Sequence, residues 1–139
     1  MNAKLGYTFG TRMEFPIHEV RQLVEAALKA EGFGILTEID VAATLRAKLG
    51  VETEPYLILG ACNPGLAHRA LEVDPSIGAL LPCNVVLRQG ASPGETVVEI
   101  FEPRTFLAIV DVPGLAVVAN EASERLHRVA GVLDTPAED

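Results

Sequence analysis

The chain has 139 residues, with 11 basic and 19 acidic side chains, a formal charge of −8 and 49% hydrophobic residues. That length fits a single domain over 1–139, and the apolar content excludes a disordered chain, which needs low hydrophobicity and high charge together. The acidic balance excludes nucleic acid as the main partner, because neutralising phosphates takes clustered Lys and Arg.

Lys4–Thr11 reads as a first strand. Pro16–Glu31 is predicted as a helix, because Ile17, Val20, Val24, Ala27 and Leu28 fall on one face at helical spacing. Pro16 suits the first helical position and Gly32 the left-handed residue after the end. Phe33–Ile39 follows as a strand. Asp40 then caps a helix over Val41–Leu49, which Gly50 ends. Pro55–Ala61 is almost continuously apolar, the pattern of a central strand. Asn63-Pro64 starts a helix over Gly65–Val73, and Asp74-Pro75 starts a helical turn running to Leu80. Asn84–Arg88 and Thr96–Phe101 read as strands joined by the hairpin loop Gln89–Glu95. Glu102-Pro103 opens a short helix, and Val118, Ala122, Leu126, Val129 and Leu133 mark one face of a last helix, about Leu115–Leu133. Thr135–Asp139 reads as a frayed acidic tail.

The order strand, helix, strand, helix, strand, helix, strand, strand, helix breaks strict alternation near its end. The expected architecture is therefore a two-layer α+β domain with a mixed sheet of about five strands. No GxGxxG or GxxxxGK[ST] fingerprint is present. No apolar run reaches the ~18 residues of a membrane span. Met1–Gly10 lacks the apolar centre of a signal peptide, so a soluble cytoplasmic protein without a membrane partner is expected. The apolar content favours self-association, most simply as a homodimer. Eighteen alanines, which helices absorb without any interface, offer the alternative.

Both cysteines sit at element boundaries, and each precedes an asparagine: Cys62-Asn63 where the apolar strand stops, and Cys83-Asn84 entering the next strand. With Asn63 as cap and Pro64 first in the helix, the Cys62 sulfur lies near unpaired amides and the positive end of the helix dipole. Such a setting can lower a thiol from ~8.5 toward the reactive range. Buried cysteine as inert core filler is the competing reading. A disulfide between the two is disfavoured in a reducing compartment. His68, on the helix beginning beside Cys62, would complete a three-ligand set of Cys62, His68 and Cys83 for Zn²⁺ or Cu(I), although recognised zinc spacings are missing. Tyr56, Asn63 and Asn84 can supply directional hydrogen bonds to a ligand, and Arg69 either meets a carboxylate or pairs with Glu72. Glu38 and Asp40, two apart on a strand, can share a face for acid–base work, although Asp40 already suits a cap. None of the three serines sits where a nucleophile would.

The strings Gly32-Phe-Gly-Ile-Leu-Thr-Glu-Ile-Asp40, Leu57-Ile-Leu-Gly-Ala-Cys-Asn-Pro64, Ala67-His-Arg-Ala-Leu71 and Leu81-Pro-Cys-Asn-Val-Val86 resemble the domain-of-unknown-function family 302 of small bacterial and archaeal proteins. The resemblance implies an α+β fold and a dimer, and it carries no established activity. It also includes both Cys-Asn pairs and His68. The leading expectation is a small-ligand or soft-metal binding module built around Cys62, Asn63, His68, Cys83 and Asn84. A thiol-dependent enzyme or redox protein, using Cys62 with Cys83 as resolving partner, is the alternative. An interaction module with structural cysteines is the third reading.

Overall fold

The computed structural model describes residues 6–134, so the expected tail and the first residues of the expected opening strand lie outside the described residues. The first strand, β1, runs Thr8–Met13 and is followed by helix α1, Ile17–Ala30. Strand β2 (Gly34–Asp40), helix α2 (Val41–Leu49), strand β3 (Tyr56–Cys62) and helix α3 (Pro64–Val73) come next. A 3-10 turn, Pro75–Leu80, leads to strands β4 (Cys83–Gln89) and β5 (Thr96–Phe101). A second 3-10 turn (Pro103–Thr105), the short α4 (Phe106–Ile109) and the long α5 (Leu115–Leu133) complete the described residues.

The strands form one sheet in the order β1-β5-β4-β3-β2. Every pairing is antiparallel, which corrects the expected mixed sheet. The α1 crossover carries the chain from one edge of the sheet to the other, so β1 and β2, which run the same way, never become neighbours. The expected α+β class and the strand count hold.

Alternation along the strands separates two faces. Leu59, Val85, Leu87, Val98 and Ile100 are fully buried, and they meet Val20, Val24 and Leu28 of α1 and Leu126 and Val129 of α5. Fully burying each such side chain contributes about 1.5–3 kcal/mol relative to exposure. Thr96 is the polar exception in this layer, and its hydroxyl is satisfied by donating to the Phe15 carbonyl at 2.8 Å.

The local signals worked as chemistry predicts. The Asp40 carboxylate accepts from the Ala43 N–H at 2.9 Å, and Gly50 ends α2 in the left-handed region. Pro16 is the extended residue before α1 instead of its first helical residue. At the other end of α1, Phe33 N–H returns to the Leu28 carbonyl and Gly32 N–H to Lys29, with Gly32 at φ 86°. This is a Schellman ending, which turns the chain sharply into β2. A Cβ at Gly32 would also sit 2.8 Å from the Asn63 amide nitrogen. Gly32→Ala should therefore lower stability by about 1–2 kcal/mol, the cost of a left-handed non-glycine residue. In urea titrations this would appear as a lower midpoint at unchanged m-value; an unchanged midpoint would contradict the assignment.

Candidate functional site

The β3–β4 pairing sets Ala61 opposite Cys83. Cys62, one residue on, closes β3 opposite Gly34 of β2. Beyond this sheet end the chain turns into α3, and the turn is held by Asn63. Its side-chain oxygen accepts from the Leu66 N–H at 3.1 Å, and its amide donates to the Glu31 carbonyl at 3.4 Å. Arg125 of α5 donates to the same carbonyl at 3.0 Å. The strand end, the α1 terminus and α5 are thus tied together at one point.

Between this sheet end, α3, the Pro75–Leu80 turn and α5 lies a cavity of about 340 Å³. Its wall includes both thiols, Leu66 and Ala70 of α3, Ile77, and Ala119 of α5. Among the described residues, no charged side chain lines it.

Burial works against ionisation of both thiols in this wall. Burial pushes Cys62 up from its ordinary value. Burial, reinforced by the nearby Cys62, pushes Cys83 up to about 12. The expected lowering at the helix N-terminus fails for a physical reason. Pro64 has no N–H, the Leu66 N–H is bound by the Asn63 side chain, and the Ala67 N–H by the Asn63 carbonyl. Few amides are left to favour a thiolate. Both cysteines are free thiols.

Of the expected site residues, the fold gathers Cys62, Asn63 and Cys83 on one wall. His68 is not part of that wall; its side chain is 74% exposed and lies 3.6 Å from Glu72 one turn along α3. The three-ligand metal set is therefore not assembled, and among the described residues no three His, Cys, Asp or Glu side chains stand together as a metal site. Asn84 is exposed on the other face of the sheet, because Cys83 and Val85 on either side of it point into the core. Arg69 pairs with Glu121 of α5 at 2.9 Å instead of with Glu72. Tyr56 stands at the opposite end of β3. Glu38 is bound by Arg21 and Asp40 serves as the α2 cap, so neither is poised for acid–base work.

One cluster gave no signal in the sequence. The His127 ring stacks on Phe9, centroids 3.7 Å apart, and its Nε2 lies 2.7 Å from the Glu102 carboxylate. Burial opposes charge on Glu102, but hydrogen bonds from His127 and the Arg104 N–H outweigh it and hold the carboxyl below its ordinary value. The cluster fastens α5 to β1 and to the end of β5.

The sequence profile of the family described as "Domain of unknown function DUF302" matches residues 9–133. The fold is similar to the crystal structure of an uncharacterized conserved protein DUF302 from Bacillus stearothermophilus, at 28% identity and a TM-score of 0.83. That similarity covers 92% of this chain and 98% of the other. No curated protein matches the chain.

The state of Cys83 has a measurable consequence. Below its ordinary value of 9.0 the thiol is protonated whether the chain is folded or unfolded. Between that value and about 12 only the unfolded chain releases the proton, so stability falls as pH rises. Wild type should lose up to about 1.4 kcal/mol per pH unit more than Cys83→Ala across this window. Parallel slopes in urea titrations would show that Cys83 is not held neutral.

Proposed function

The chain belongs to the DUF302 family, and we propose that it is a small-ligand binding module whose site is the cavity walled by Cys62, Asn63 and Cys83. The observation that carries this reading is the cavity itself: about 340 Å³, within the ~300–1,000 Å³ usual for ligand sites. It is bounded by elements that the fold holds in place: the β3–β4 register, the Asn63 cap and the packed face of α5. A cytoplasmic setting goes with this reading, supported by two thiols that stand free. The thiol-catalyst alternative has less support, since burial raises both thiols.

The test is to fill the space. Ala119 is buried on α5 and faces the cavity. The uncharged fluorophore N-phenyl-1-naphthylamine should bind wild type saturably at one site, and Ala119→Phe, shown to be folded by circular dichroism, should lose that binding. Equal binding by both proteins would place the probe elsewhere and contradict the reading.

We also propose a homodimer, formed through the sheet face that looks away from α1 and α5. Ile39, Ile58 and Val86 stand side by side there across β2, β3 and β4, and Ile39 is 49% exposed. The adjoining Arg88–Glu99 pair, at 3.1 Å, is locally neutral, so two chains of charge −8 can meet on this face without facing like charges. Sedimentation equilibrium should give twice the chain mass for wild type and a single chain for Ile39→Lys. A monomeric wild type would contradict this interface.

A further inference from the structure

We propose that the ligand is an uncharged, hydrocarbon-rich molecule of about two-ring or medium-chain size, admitted past Leu36. This rests on the binding-module reading and adds the chemical class and the entrance.

The class follows from what the wall lacks. Its polar groups are the Asn63 amide and two thiols. The amide already makes one hydrogen bond in each direction, accepting from Leu66 and donating to Glu31, and burial favours the neutral form of both thiols. An ion entering here would give up its hydration with no charged side chain among the lining residues to replace it, a cost that normally keeps unpaired charges out of apolar interiors. The size follows from volume. A dry apolar cavity of about 150 Å³ holds benzene, so about 340 Å³ holds roughly twice that bulk.

The entrance follows from an irregularity in β2. Ile35 pairs with Ala61 and Thr37 with Gly60, so Leu36 is an extra residue without a partner. A bulge of this kind redirects a side chain, and bulges are common beside binding sites. Here the redirected leucine lies on the cavity wall while 66% exposed. Leu71 of α3, 40% exposed, also borders the cavity. These two exposed leucines make their part of the rim apolar, like the interior.

The experiment is calorimetric titration of the intact protein with 1-octanol, octanoate and octylammonium, which share one chain length. Each titration is paired with the rate of Cys62 alkylation by iodoacetamide. Octanol should bind one to one, at least about tenfold tighter than either ion, and should slow alkylation. Leu36→Ser, at an exposed position and with its fold checked by circular dichroism, should weaken octanol binding about three- to tenfold. Ions binding as tightly as octanol, with alkylation slowed, would overturn the ligand class and leave the cavity reading standing. Undiminished octanol binding by Leu36→Ser would overturn the entrance. If none of the three binds or protects Cys62, the cavity reading fails and this inference with it.

Discussion

The antiparallel register of β3 on β4 is the constraint from which the site follows. By placing Ala61 opposite Cys83, it brings two sulfurs separated in sequence to the same end of the sheet. A one-residue slip would send Cys83 to the opposite face, and with it Val85 and Leu87, two fully buried core residues. The core enforces the register, and the register sets the thiols.

The opposite wall depends on a second constraint, the turn at Asn63. Its side chain caps α3 while reaching back to the end of α1, and Gly32 leaves the room that this reach needs. Because the Leu66 and Ala67 amides are both bound by Asn63, the helix start has few amides left to stabilise a thiolate. The result is a chamber of neutral sulfur and hydrocarbon. That environment disfavours a thiolate, and the proposed ligand is accordingly one without charge.

Much of the fold was legible in the sequence because its signals are local. The Asp40 and Asn63 caps, the Gly32 and Gly50 endings and the apolar faces of α1 and α5 are decided within a few residues. The family strings also pointed to the right kin. Sheet order was not legible, since the α1 crossover joins strands that end at opposite edges. The same limit governed the site. Cys62, Asn63 and Cys83 converge because strand register brings them together. His68 does not, because helical geometry turns it outward to Glu72. Asn84 sits next to a core residue in sequence and therefore on the other face. The Phe9–His127–Glu102 cluster joins three distant elements and had no motif to announce it.

The central claim is that the space between the β3–β4 end, α3 and α5 is a dry apolar chamber. Diffraction from crystals pressurised with xenon tests it most directly, because xenon enters such spaces and leaves polar ones to water. The account predicts a xenon peak among Cys83, Ile77 and Ala119. Ordered, hydrogen-bonded waters in that space, or side chains collapsed into it, would contradict the account.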